Sequence, residues 1–293
     1  MSGHPFHDVS IVPSQMSAPL LRFGLIADPQ YAPIAPNERL DRHYAQSLGK
    51  LEAAIGRFNG EDLDFVVTLG DVIDRDWENF DRVLPLYETL RHPHHFLPGN
   101  HDFAVAADRL ADVHARLGMP APYHDFAVNG VRLIITDGNE VSLFAPPLDD
   151  PRRAEAAQRL ALLTAAGAAN AQTWNAGMSA AQVEWLSERL RRAEAAGERA
   201  IVFGHYPLHP ASDHNLWGAE EVSTLIAASP AAIGYFSGHN HAGNYGRLNG
   251  THFVNIKGMV DTAEENAFAM VAVHADRMEV TGFGREESRV LAL

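Results

Sequence analysis

The amino-acid sequence predicts an α/β fold. Short β-type apolar runs alternate with helical stretches through most of the 293 residues, an order that puts helices on the faces of a sheet. After residue 241 the pattern changes to a period-two alternation around Asn249-Gly250, the strongest short hairpin signal. Five of the six early runs also end in a candidate metal-ligating residue or pair.

In chain order, residues 1–20 read as a mobile N-terminal tail, because Pro5, Pro13 and Pro19 break any periodicity. Strands are expected at 22–28, 63–71, 94–102, 131–137, 199–205 and 232–241. Helices are expected at about 38–58, 78–90, 103–117, 152–169, 179–196 and 218–228. Ser179 and Gln182 form a capping box for the fifth helix, whose Val183, Leu186 and Leu190 make a core-facing stripe. "NYGRLNGTHFVNIKG", "AFAMVAVHAD" and "RMEVTGFG" supply a closing antiparallel set. No repeat or linker divides the chain, so residues 21–293 are expected to form one domain, with 138–178 an insertion that could serve as a substrate lid or lie as a plain surface helix.

Composition narrows the function. With no cysteine, disulfides, thiolate zinc sites and thiol nucleophiles are excluded, and any metal must be held by nitrogen and oxygen. No apolar run reaches the roughly 18 residues of a membrane span, and the N-terminus lacks the basic flank and apolar segment of a secretory signal. A cytoplasmic location with no membrane contact is the expectation. Asp and Glu number 37 against 23 Lys and Arg, a net charge of −14. Nucleic-acid binding rests on neutralising phosphates with basic side chains, so it is not expected here. A small anionic ligand in a local cationic pocket is compatible with this balance, and no protein partner is implied.

The strand ends carry the chemistry: Asp28 with Gln30 in "DPQ", Asp71 in "GDVID", Asn100 and His101 in "GNHD", His205 in "GHYP", and His239 with His241 in "GHNH". Each motif alone is common. As an ordered set they converge, because ligands of open α/β sheets bind outside the carboxyl ends of the strands. Gly70, Gly99, Gly204 and Gly238 each precede a candidate ligand, where the chain must turn and approach the site closely. The set reads as a metal site. His92, His94 and His95 of "RHPHHF" lack carboxylate company and read as structural or exposed, as do His4, His7, His209, His214, His252 and His274.

These motifs, in this order from about residue 22 to about 285, resemble the calcineurin-like metallophosphoesterase family. The resemblance implies a four-layer αββα metallophosphoesterase sandwich, two stacked β-sheets flanked by helices, with two metal ions at the strand ends. Carried over position by position, it implies one metal on Asp28, Gln30, Asp71 and His241, and a second on Asp71, Asn100, His205 and His239. It further implies that His101 assists the leaving group, that Asp102 orients His101, and that Asp74 supports the site from behind or is an ordinary loop carboxylate. Two divalent ions roughly 3.5–4 Å apart clamp the oxygens of an in-line displacement, with a metal-bridging hydroxide as nucleophile. Two dications against the carboxylates of Asp28 and Asp71 leave the site at about +2, enough to draw a phosphate ester into an acidic protein.

Most members of that family carry His where Gln30 stands. A neutral amide oxygen is a harder ligand than imidazole and favours manganese or magnesium over zinc. "GLIADPQYA", "RHYAQSL", "NAGMSAAQVEWL", "SGHNHAGNY" and the thirty residues from "IKGMVDTAEENAFAM" to "GFGR" are similar to the manganese-dependent ADP-ribose/CDP-alcohol diphosphatase subfamily. Gly258, Thr262, Ala263, Ala267 and Phe268 stand in matching places. That resemblance implies two divalent ions, Mn²⁺ first and Fe, Mg²⁺ or Zn²⁺ as alternatives. It implies hydrolysis of a small nucleotide substrate, ADP-ribose or a CDP-alcohol such as CDP-choline, to a nucleoside monophosphate and a phosphoester. Tyr31, and more weakly Phe144, Trp174 and Trp217, are the candidates for a base slot, with core packing as the competing reading. A cyclic-nucleotide or broad phosphodiesterase on the same centre is the alternative activity. An inactive scaffold is disfavoured because every ligand position holds a competent residue.

Overall fold

The computed structural model describes residues 18–293. The expected mobile tail, with His4 and His7, falls almost wholly outside the described residues; Leu20, at its end, already donates its backbone N–H to Val273 O at 2.7 Å.

Two mixed six-stranded sheets are stacked face to face. The first joins β1 (Leu21–Ile26), β2 (Phe65–Leu69) and β3 (His94–Leu97) in parallel, and continues from β1 through the antiparallel β10 (Ala267–Val273), β11 (Arg277–Gly284) and β12 (Arg289–Ala292). The second runs β4 (His124–Val128), β5 (Val131–Ile135), β6 (Arg199–Phe203), β7 (Ala232–Ser237), β9 (Thr251–Asn255), β8 (Asn244–Leu248). The Asn249-Gly250 hairpin is present between β8 and β9, with φ of 47° and 97° at its two turn residues. The closing strands do not form a sheet of their own. β8 and β9 extend the second sheet, whereas β10 to β12 return to pair with β1.

Alternation along each strand decides the layers. Phe23 and Leu25 of β1, Phe65 and Val67 of β2, Leu133 of β5 and Phe203 of β6 fill the space between the sheets. Phe23 and Phe65 stack there at 5.2 Å. The opposite faces are covered by helices. Ile26 and Val66 pack against α1 (Ser47–Asn59) and α2 (Phe80–Tyr87), and Val202 and Ile134 against α5 (Ala180–Ala196) and α6 (Ala219–Ala228). A Cβ on Gly24 would sit 2.9 Å from the Phe58 ring, so the side-chain-free position lets α1 lie close on β1. The result is the four-layer αββα sandwich.

Two helical expectations shorten. The 38–58 stretch is an extended loop up to a 3₁₀ turn at Tyr44–Gln46 before α1, and 103–117 is mostly 3₁₀ with only α3 (Val113–Arg116) truly helical. The 138–178 segment holds α4 (Pro151–Ala165), capped by the Asp150 carboxylate on Arg152 N. At α5, Ser179 Oγ accepts Gln182 N at 3.1 Å as expected. Gln182 does not reach back to Ser179; Glu140 Oε2 takes the Ser179 N–H at 2.9 Å instead. No helix among the described residues is long and apolar enough to cross a membrane.

Candidate metal centre

Where β1, β2, β3, β6 and β7 end, the backbone turns sharply and presents polar side chains to one point. Asp28, Gln30, Asp71 and His239 all have positive φ, between 45° and 68°. This is a conformation non-glycine residues seldom adopt, and it is tolerated where the surroundings enforce it. The turns enforce one another: Gln30 N donates to Asp71 O at 2.7 Å, and Asp28 N to Gly70 O at 3.2 Å. Gly99 is needed for the convergence, since a Cβ there would lie 2.1 Å from Asp71 Oδ1 and 2.5 Å from His205 Cε1.

The side chains brought together fall into two groups of close donor atoms, Asp28–Asp71–His241 and Asp71–His205–His239, each within 4.8 Å and all buried. Asp71 belongs to both. Asn100 Oδ1 joins the second group, 3.2 Å from His205 Nε2. Gln30 joins the first: its Nε2 donates to Asp71 Oδ2 at 3.1 Å, while its Oε1 is buried with no hydrogen-bond partner among the described residues. An orphaned carbonyl oxygen there is costly unless a cation takes it.

Outer partners set which ring nitrogen faces inward. His205 Nδ1 lies 2.7 Å from Leu69 O, so its N–H is spent on the carbonyl and Nε2 is left bare. His241 Nδ1 meets Asp261 Oδ1 at 2.7 Å, leaving Nε2 to face Asp28. His239 is reversed: Nε2 donates to Asn175 Oδ1 at 3.0 Å, and Nδ1 points at His205 Nε2. Burial, reinforced by the Asp71 charge, pushes Asp28 well above the usual carboxylate range. Burial and the neighbouring imidazoles push His239 well below the usual histidine range. Neutral imidazoles with two crowded carboxylates and two amide oxygens are an N/O donor set for divalent cations, so the residues fit the two ions.

His101 stands at the mouth, its side chain 28% exposed, with its backbone N–H on Asp71 Oδ1 at 2.8 Å. The expectation that Asp102 orients this ring is corrected. Asp102 is fully buried and accepts Ile73 N at 3.0 Å and Gly99 N at 2.8 Å, which ties the 70–74 and 98–102 loops together. Asp74 is the carboxylate that faces the ring, with Oδ1 2.9 Å from His101 Nδ1. Burial opposes charge on His101, but Asp71 and Asp74 outweigh it and raise the ring above the ordinary range.

Of the proposed base-slot residues only Trp174 borders the site, at 43% exposure. Tyr31 is buried in the core beneath the first sheet and pairs through its backbone with Ile73. Phe144 packs between the two outer cores, 6.5 Å from Phe103. Trp217 is buried with its indole N–H on Asn170 O. Sequence reasoning missed Arg39, Arg42 and Asn175, and set His214 aside, yet its ring is 5.4 Å from His239. None ends a strand, so no apolar run points to them.

A calcineurin-like phosphoesterase family model matches residues 21–243. Manganese-dependent ADP-ribose/CDP-alcohol diphosphatases of Bos taurus and Homo sapiens are each 27% identical over 322 residues, covering 95% of this chain and 96% and 94% of their own. A dimetal phosphatase from Danio rerio has the same fold, with a TM-score of 0.83 at 24% identity, covering 94% of this chain and 99% of that one.

Proposed function

This chain belongs to the calcineurin-like phosphoesterase family, and on that premise we propose that it cleaves the phosphoanhydride of nucleoside diphosphate-linked compounds such as ADP-ribose and CDP-choline. It is a metal-dependent hydrolase. The observation that carries the reading is the pair of donor groups sharing Asp71, with His101 at their mouth, in a chain related end to end to manganese-dependent diphosphatases.

In this reading Asp28, Gln30, Asp71 and His241 hold one ion, and Asp71, Asn100, His205 and His239 the other, manganese being favoured by the amide oxygens. When bound, two divalent ions supply Lewis acidity to the phosphoryl group and to the attacking water. The chain's own groups do the rest. Water adds across the P–O–P linkage: a new P–O bond forms, the bridging P–O bond breaks, and a proton must reach the departing oxygen. His101 is placed to give it from Nε2, since Nδ1 faces Asp74. Asp102 holds the two loops that carry Asp71, Asn100 and His101, a positioning role. Residues 21–293 act as one catalytic domain, with 138–178 supplying a pocket wall through Trp174. A cytoplasmic enzyme suits a chain without cysteine.

Product analysis tests this. Manganese-loaded protein is incubated with ADP-ribose, CDP-choline, cyclic AMP and an aryl phosphodiester, with His101→Ala alongside. AMP from ADP-ribose or CMP from CDP-choline, lost in the variant, is the expected result. Turnover of cyclic AMP or the aryl diester alone would refute the diphosphatase reading and leave a phosphodiesterase.

A further inference from the structure

We propose that Arg42, with Arg39 at the rim, clamps the phosphate of a diphosphate substrate that is not under attack, and so makes this centre select diphosphates over phosphomonoesters and simple diesters. The inference rests on the diphosphatase reading and adds the residue that recognises the second phosphate.

The cavity above the candidate ligands has a volume of about 350 Å³, and Arg39, Arg42, Trp174 and His214 line it together with those ligands. Arg42 lines the same cavity as Asp71, Asn100, His101 and His241. Its guanidinium lacks the carboxylate or carbonyl partner that most arginines of this protein have, a state shared among the described residues with Arg22, Arg82 and Arg91 away from this cavity. Arg75, Arg132, Arg152, Arg159 and Arg289 each close on a carboxylate. Among the described residues neither Arg39 nor Arg42 has an ion-pair or side-chain hydrogen-bond partner, although acids outnumber bases 37 to 23. The adjacent carboxylate, Asp41, is engaged by His43 at 2.9 Å.

The loop holding Arg42 is fixed from both sides. Asn37 and Arg42 exchange backbone hydrogen bonds at 2.9 and 3.1 Å. Asp41 O accepts Thr262 N at 2.7 Å, and His43 N donates to Val260 O at 2.9 Å. The 37–43 loop is thereby riveted to the segment whose Asp261 holds His241. A half-buried guanidinium on such a backbone loses little freedom on binding.

The chemistry of the substrate calls for such a group. One phosphoryl unit of a nucleoside diphosphate engages the metal centre, and the other carries a second negative charge with paired oxygens. A planar guanidinium matches those oxygens in bidentate fashion, where a lysine ammonium would be a point charge. A monoester or an aryl diester has nothing to place there.

The test measures calorimetric binding of α,β-methylene-ADP and of AMP to the manganese-loaded full chain, wild type, Arg42→Ala and Arg42→Lys. It also measures kcat/KM for ADP-ribose and for bis(p-nitrophenyl) phosphate. Wild type should bind the diphosphate analogue at least about tenfold tighter than AMP, as one charged hydrogen-bonded pair implies. Arg42→Ala should erase that preference and Arg42→Lys keep part of it. In turnover, Arg42→Ala should lower kcat/KM for ADP-ribose about 30-fold, mainly through KM, and that for the diester no more than about threefold. Equal binding of both nucleotides by wild type, or equal falls on both substrates, would overturn the clamp. A preference that depends on Arg42, without AMP released from ADP-ribose, would uphold the clamp and refute the diphosphatase reading.

Discussion

His239 Nε2 and Asn175 Oδ1 lie 3.0 Å apart, both residues buried, so a residue of the 138–178 segment orients an imidazole from the end of β7. The segment is thus joined to the candidate metal centre through Asn175, and Trp174 lines the same cavity. Asn175 is itself fixed, its Nδ2 donating to Asp213 O at 2.6 Å and to Asn170 O at 3.1 Å.

Replacing Asn175 with Ala frees the His239 ring to rotate and to present the wrong nitrogen. Loss of such an outer partner costs about 10- to 100-fold in metal affinity. Manganese titration by electron paramagnetic resonance should show one of two sites weakened by that factor. Two sites of unchanged affinity would remove Asn175 from this role.

Asp74→Asn and His101→Ala separate orientation from proton delivery. His101→Ala should lower kcat by 10²- to 10⁴-fold, the range for a general acid, with two manganese ions still bound. Asp74→Asn leaves the imidazole in place but removes the carboxylate that holds it charged, so a smaller fall in kcat and an alkaline limb moved to lower pH are expected. The sign follows from the ring: Asp74 helps raise its pKa, so without that carboxylate the acid form is lost earlier as pH climbs. A pH–rate profile decides, and an unmoved limb would exclude the pairing.

The candidate ligand residues that the fold brings together were legible because an apolar strand ending in a polar residue is a local pattern, repeated five times. Their supports were not. Asn175, Asp74, Asp261 and Arg42 sit in loops without periodicity, and their partners are 20 to 64 residues away or are implied only by the folded pocket. Tyr31 shows why adjacency misleads. Gln30 turns into the site at φ 45°, and the next side chain is carried into the core. β4 and β12 escaped notice because they are short and half-exposed edge strands with little apolar signal. The destination of β10 to β12 depends on pairing with β1 across the whole chain, which no local pattern encodes.

Lys50 is buried in α1, and its ammonium donates to the carbonyls of Met259, Asp261 and Thr262 at 2.9, 2.7 and 2.6 Å. Arg285 holds the same turn through Gly258 O. Lys50→Met keeps the apolar stem and strips three acceptors, a cost of about 2–4 kcal/mol at roughly 1 kcal/mol or more for each unsatisfied carbonyl. Because the turn carries Asp261, which holds His241, manganese at the Asp28 side should weaken in parallel. Urea denaturation and metal titration on one sample test both halves. Lost stability with unaltered metal affinity would confine Lys50 to the fold.

His95 ties stability to pH away from the metals. Its ring stacks on Phe126 at 4.1 Å, edge-on to Phe65 at 5.8 Å. Burial, aided by the neighbouring His124 and His94, holds its pKa down to about 4. The folded chain therefore keeps this imidazole neutral where the unfolded chain, near 6.5, already binds a proton. Stability is full above the unfolded value and declines as pH falls from about 6.5 towards 4, by at most about 3 kcal/mol for this ring and less given its partial exposure. His94 and His124 shift in the same direction by burial and steepen the decline. His95→Phe keeps the stacking and deletes the titration. Urea midpoints at pH 8, 6.5 and 5 should fall less steeply in the variant than in wild type, since only the wild-type unfolded state gains that proton. Equal slopes would mean that the folded ring takes up its proton as readily as the unfolded one, and that stacking on Phe126 accommodates a charge that burial should exclude.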